Sequence, residues 1–289
     1  MKLATFTTTD NPSPRTGIVK AESILDLSTV GVTSEMKTII KGGVDIAGLE
    51  RAASGATSLP LADVNLEAPI MNPGKILAIG LNYGDHVAES KMEKPAHQMW
   101  FNKQHNCINA PYADINLPAV SDKVDYEAEL CLVIGRRCKH VPRDRAHEVI
   151  AGYFCGNDVS VRDWQMRSPT FQIGKSFDTH GPTGPWLVTP DEVEDPHALD
   201  IKCVVNGEVR QQSNTKHLIF DCFDAIEHLT QAYVLDVGDI LFMGTPGGVG
   251  VAMQPPSFMK AGDVVRVEIE KLGHIENTVV PEQAETVIE

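Results

Sequence analysis

Glu127 and Glu129 stand two residues apart at the head of an apolar run, Val124-Asp125-Tyr126-Glu127-Ala128-Glu129-Leu130-Cys131-Leu132-Val133-Ile134-Gly135. On an extended strand, residues two apart share a face, so the two carboxylates project side by side. Like charges held that close repel, and the conflict is relieved by a proton or by a shared cation. A hard, oxygen-preferring ion such as Mg2+, Mn2+ or Ca2+ would serve. A solvated strand face would carry the same glutamates as plain surface charge. Asp158 closes another apolar run, Tyr153-Phe154-Cys155-Gly156-Asn157-Asp158. With Glu127 and Glu129 it could form a three-carboxylate site that leaves positions open for water and substrate. Periodicity alone does not make the two strands neighbours.

A second group lies in Ile79-Gly80-Leu81-Asn82-Tyr83-Gly84-Asp85-His86-Val87-Ala88-Glu89. If a helix starts after the glycines, His86 and Glu89 fall at i and i+3 on one face. A carboxylate bonded to one imidazole nitrogen raises the basicity of the other, giving a water-activating base. The same two residues would equally make an ordinary solvent-exposed His–Glu pair on a surface helix. Gly174-Lys175-Ser176 invites a phosphate-loop reading, but the glycine that motif needs five residues earlier is Pro169, and the reading fails. Lys175 could instead stabilise a developing enolate or oxyanion. Met243-Gly244-Thr245-Pro246-Gly247-Gly248-Val249-Gly250 follows an apolar strand and does not match a dinucleotide fingerprint. Its amides and the Thr245 hydroxyl could approach a substrate carboxylate.

These residues need strands to carry them, and from residue 75 onward short strands dominate. The patterning predicts them at Lys75 to Gly80, Tyr126 to Gly135, Ile150 to Asp158, Trp186 to Thr189, Ile201 to Asn206, Ile240 to Met243 and Val264 to Ile269. Asn206-Gly207 marks a tight hairpin. Helices are expected at Asp85 to Lys91, Arg143 to Val149 and Asp221 to Ala232. Before residue 70 the pattern gives strands at Lys2 to Thr7 and Thr16 to Lys20, a turn at Asp10 to Pro14, and helices at Thr33 to Ile40 and Val44 to Ala53. A small N-terminal α+β domain over 1–70 and a catalytic domain over 71–289 is the simplest division. With 23 glycines and 18 prolines in 289 residues, a turn-rich mixed α/β fold is expected rather than regular βαβ alternation.

The formal net charge of −14 argues against phosphate-backbone or anionic-lipid partners. A small anionic substrate stays compatible, because local cations can reverse the field in a cleft. The six cysteines form no C-x-x-C pair and several sit in apolar runs, which fits reduced, buried thiols. No apolar stretch approaches a membrane span, and the N-terminus lacks a signal-peptide core, so a cytoplasmic location is expected.

Six stretches in register resemble the fumarylacetoacetate hydrolase family: residues 80–89, 126–130, 156–165, 174–178, 205–211 and 238–250. The resemblance implies a strand-rich β-sandwich roll, usually dimeric, with Mg2+ or Mn2+ in the site. It implies Glu127, Glu129 and Asp158 as metal ligands, His86 and Glu89 as a water-activating pair on a lid, and Lys175 as the active-site lysine. Arg162, Gln165 and Thr245 fall where relatives contact substrate or organise the site. Lys103 sits near a family lysine, but here the string Phe101-Asn102-Lys103-Gln104 lacks the proline that follows it, and its role is left open. Trp164, Met166 and Phe171 are expected to read the distal end of the substrate. The implied reaction is hydrolysis of a C–C bond in a small 1,3-dioxo acid. The same site would also suit decarboxylation, isomerisation or hydration of an oxaloacetate-like acid, and a non-catalytic binding scaffold is the rival of a different class.

Overall fold

The computed structural model describes residues 1–89 and 93–288. A 12-stranded sheet dominates it, and its main path runs 57–60, 23–26, 11–20, 2–8, 181–188, 150–157, 128–134, 240–242, 76–80, 99–103. A five-stranded sheet runs 208–214, 200–205, 264–269, 273–281, 115–117. Few helices accompany them, and the fold is strand-rich mixed α/β, as the patterning predicts.

The strand Ala128–Ile134 explains how the two sheets and the site come together. All seven of its residues are buried, so it is apolar on both faces. Leu130, Leu132 and Ile134 join a core shared with Cys203, Val205 and Val267 of the five-stranded sheet. Cys131 and Val133 point the other way, into a core with Phe101, Phe154 and Phe242. Glu129 lies on that second face, two residues before Cys131, so the strand delivers its carboxylate to the end of an apolar layer. The neighbouring strand Ile150–Asn157 pairs Gly156 with Glu129. A Cβ at Gly156 would stand 2.4 Å from Cys131 Sγ and 2.7 Å from Phe242 Cε1, so only glycine allows this approach.

The hairpin at Asn206-Gly207 forms as expected, with φ of 51° and 81° at its two turn residues. The helix Cys222–Ala232 begins at a capping box between Asp221 and Asp224. Two local expectations change. Residues Asn11 to Pro14, read as turn, belong to the strand Asn11–Lys20. Prolines are tolerated there because only residues 17–20 pair on the side of Ser23–Asp26, leaving the Pro12 and Pro14 stretch without a second ladder. Arg143–Val149 is a 3-10 helix rather than an α-helix. The expected helix from Asp85 is found as Gly84–Glu89, and the positions Ser90 and Lys91 lie outside the described residues. The strand Lys2–Thr8 pairs with Gly181–Val188, so the N-terminal strands share the large sheet. No helix among the described residues is long and apolar enough to cross a membrane.

Candidate metal centre and active site

Glu127, Glu129 and Asp158 are all buried, and each offers an oxygen within 4.8 Å of the others. An ion holding oxygens at about 2.1 Å spans at most about 4.2 Å between two of them, so small movements close the set. Asn157 Oδ1 accepts the Glu127 amide at 3.0 Å, and the Asp158 amide donates to the Glu127 carbonyl at 2.9 Å, which locks the strand ends together.

Three cations among the described residues face this cluster. Lys175 Nζ bridges it, donating to Glu127 Oε2 at 2.7 Å and Asp158 Oδ2 at 2.8 Å. Arg162 Nη1 donates to Glu127 Oε1 at 2.6 Å and to Gln165 Oε1 at 2.9 Å, and its Nε reaches Asp125 Oδ2 at 2.8 Å. Lys103 Nζ donates to Asp158 Oδ1 at 2.7 Å, to the His180 carbonyl at 3.1 Å and to the Lys175 carbonyl. Glu129 differs from its neighbours, because Oε2 accepts the Gly244 amide at 2.6 Å and no cation among the described residues bonds to it. Burial would push the Glu127 carboxyl up, but Lys175 and Arg162 outweigh it and hold it at about 2. Burial, with Asp158 and Glu127 alongside, raises Glu129 well above the carboxylate range. With Glu129 neutral, buried Asp125, Glu127 and Asp158 balance buried Lys103, Arg162 and Lys175, and ionising Glu129 adds one uncompensated negative charge. A divalent cation would offset that added charge and hold Glu129 ionised, and the all-oxygen donor set fits Mg2+ or Mn2+.

Glu127 and Glu129 border a cavity of about 240 Å3. His86, Arg162, Gln165, Lys175 and Thr245 also line it, together with an apolar wall of Ile79, Leu81, Met99, Phe101, Met166, Phe171 and Val251. Seven of the nine site residues expected from the sequence, all but Glu89 and Asp158, therefore line one cavity. Asp158 joins them through Lys175, while the Glu89 carboxylate accepts the Gly248 amide. Burial lowers the His86 pKa from its ordinary 6.5, which keeps the imidazole neutral at neutral pH. Gly174 lets Lys175 reach Glu127 and Asp158, since a Cβ there would lie 2.1 Å from the Gln165 amide nitrogen. Met166 and Phe171 line the cavity as expected, but Trp164 does not: its ring packs edge-on against Phe177 at 5.4 Å.

The glycine-rich loop behaves differently from the sequence expectation. Its amides at Gly244, Gly248, Gly250 and Val251 are donated to Glu129, Glu89 and Asp125. The loop is thus a frame around the site, and Thr245 is its polar side chain on the cavity wall, with Val251 beyond it. Asp125 was not singled out from the sequence, although it precedes the E-x-E pair by two residues, the spacing that would flag it. Lys103 is likewise part of the site, wholly buried on a strand where it alternates inward with Phe101.

Behind Lys103 stands His180, whose ring Nε2 lies 2.8 Å from the Asn116 carbonyl. Burial lowers its pKa from 6.5 to about 4. The neutral ring is favoured only in the folded chain, so the unfolded chain binds the extra proton first as pH falls. The contribution is complete above pH 6.5 and is lost by about pH 4, on the order of 3 kcal/mol. Urea unfolding of the metal-free protein should show this slope, reduced in His180→Gln. An unchanged slope in the variant would remove His180 from the account.

Comparisons with known proteins converge on one family. The family model described as fumarylacetoacetate (FAA) hydrolase, C-terminal, matches residues 75–280. The chain is 41% identical over 290 residues to a Xenopus laevis protein named as a mitochondrial oxaloacetate tautomerase, covering 97% of this chain and 90% of that one. A fumarylacetoacetate hydrolase from Exiguobacterium antarcticum superposes with a TM-score of 0.86 at 32% identity, over 98% of this chain and 100% of the other. Maleylpyruvate hydrolase from Sphingobium sp. SYK-6, in complex with manganese(II) and pyruvate, superposes with a TM-score of 0.82 at 32% identity over the same shares, 98% and 100%.

Proposed function

This chain belongs to the fumarylacetoacetate hydrolase family, and on that premise we propose that it is a metal-dependent isomerase interconverting the enol and keto forms of an oxaloacetate-like 2-oxo acid. The observation that carries this reading is the whole-length similarity to a protein named as an oxaloacetate tautomerase, 41% identical across 97% of this chain. It moves the emphasis away from the C–C hydrolysis expected from the sequence. Isomerisation asks for one proton shuttle beside a stabilised oxyanion, and His86 on the cavity wall can serve as that shuttle.

In this reading Glu127, Glu129 and Asp158 hold Mg2+ or Mn2+. When bound, the ion supplies Lewis-acid polarisation of a carbonyl and stabilises charge on its oxygen. Lys175 and Arg162 keep Glu127 ionised and aimed at the ligand position. Gln165 holds Arg162 from the cavity side. His86, neutral in its buried setting, takes the proton from the enol hydroxyl at C2 and returns one to C3. Glu89 holds the loop of Gly248 against the helix that carries His86.

The Sphingobium maleylpyruvate hydrolase keeps a second reading in play, hydrolysis by water activated at His86. Product analysis separates them. With Mn2+ the protein should exchange C3 protons of oxaloacetate for deuterium in D2O without releasing pyruvate above background, and His86→Ala should slow exchange by about 100- to 10,000-fold. Pyruvate released from acetylpyruvate, with no C3 exchange on oxaloacetate, would restore the hydrolase.

A further inference from the structure

Gln211 carries no role in any reading above, yet it is buried and reaches the site from the five-stranded sheet. Its Oε1 accepts the Ala128 amide at 3.0 Å, between the two metal-ligand glutamates. Its Nε2 donates to Thr245 Oγ1 at 2.7 Å and to the Pro246 carbonyl at 2.8 Å. An amide N–H can only donate and a carbonyl can only accept, so these two backbone partners fix which way round the side chain lies. Both Nε2 protons are then committed, and Thr245 Oγ1 is an acceptor in that contact. The hydroxyl proton of Thr245 must point elsewhere. Among the described residues no acceptor takes it, while Thr245 borders the cavity beside Glu127, Glu129 and Lys175.

We propose that Gln211 is a positioning residue that fixes the Thr245 hydroxyl as a hydrogen-bond donor to the carboxylate of the bound oxo-acid. The inference rests on an oxo-acid occupying this cavity. Arg162 and Lys175 are already paired with Asp125, Glu127 and Asp158. The loop amides at Gly244, Gly248, Gly250 and Val251 are spent on the protein's own carboxylates. An entering carboxylate therefore meets few uncommitted donors, and a hydroxyl whose polarity is set in advance loses nothing to reorientation on binding.

The test is calorimetric binding of oxalate to the Mn2+-loaded protein, which does not depend on turnover. In Gln211→Glu the side chain still accepts the Ala128 amide but presents an acceptor to Thr245, drawing the hydroxyl proton away from the ligand. Gln211→Glu and Thr245→Val should each weaken oxalate about 10- to 100-fold, the loss of one hydrogen bond to a charged group. Thr245→Ser should bind within about threefold of the parent, and Mn2+ affinity should hold in all three. Adding Gln211→Glu to Thr245→Val should cost less than about threefold more, because the first change acts through the second. An unchanged affinity in Gln211→Glu, or an equal loss in the Thr245→Val background, overturns the proposal. Should Gln211→Glu not fold, unchanged oxalate affinity in Thr245→Val overturns it alone. Absence of oxaloacetate isomerisation with this binding pattern intact would count against the isomerase reading and leave the positioning role standing.

Discussion

Glu129→Gln is expected to lose about a thousandfold in metal-supported activity while the metal-free protein keeps its stability. Among the described residues, Glu129 is the one carboxylate of the three with no cation bonded to it, its Oε2 taking the Gly244 amide. Burial and its two acidic neighbours favour its neutral form when no ion is present. A glutamine is close to that form in shape and charge, and its carbonyl can still accept the Gly244 amide. Folding therefore has little to lose. The ion, however, loses a charged ligand, and Lewis-acid stabilisation worth several kcal/mol goes with it, which at about 1.4 kcal/mol per decade is roughly a thousandfold. Mn2+ affinity should fall by at least about 100-fold, beyond the effect of losing an outer partner. Calorimetric Mn2+ titration and urea unfolding in chelator check the two halves. Wild-type Mn2+ affinity in the variant would remove Glu129 from the ligand set.

Lys103→Met carries the largest expected cost to folding. The Lys103 side chain is fully buried, and burial alone would lower its pKa, yet Asp158 beside it raises it. Its ammonium serves Asp158 and the carbonyls of Lys175 and His180 together. Methionine fills the space but leaves those oxygens short of a donor, inside protein and away from water. Breaking a buried pair from one side costs about 3–5 kcal/mol, which corresponds to a Tm lower by roughly 10 °C. Because Lys103 also orients Asp158, the Mn2+ affinity of the folded fraction should drop as well. Denaturant unfolding and Mn2+ titration of the same sample measure both, and a variant matching the parent in each would show that Lys103 is only packing.

Much of this site could be read from the chain because its main signals are local. The E-x-E spacing on an apolar strand and a carboxylate at a strand end place charges by period two, and the hairpin at Asn206-Gly207 fixes its turn by φ. Lys103 left its role open because its partners, Asp158, Lys175 and His180, lie 55 to 77 residues away. Gln211 acts across 83 residues on Ala128 and 34 on Thr245, and no local pattern encodes that. Asp125 lies two residues before Glu127, outside the strand expected from Tyr126, and its work, holding Arg162 and the amides of Gly250 and Val251, appears only when the loop folds over it. Trp164 was misplaced for a similar reason: it follows Arg162 by two residues, but the short helix Arg162–Gln165 turns it away from the cavity toward Phe177.

The most direct test of the whole account is a Mn2+ titration of enol-oxaloacetate decay by stopped flow, using chelator-stripped protein beside Glu129→Gln. The account predicts decay no faster than buffer in the stripped protein, saturable acceleration on adding Mn2+, and no comparable acceleration in the variant over the same range. Acceleration that is full in chelator, or equal in Glu129→Gln, would contradict a reaction organised around these three carboxylates.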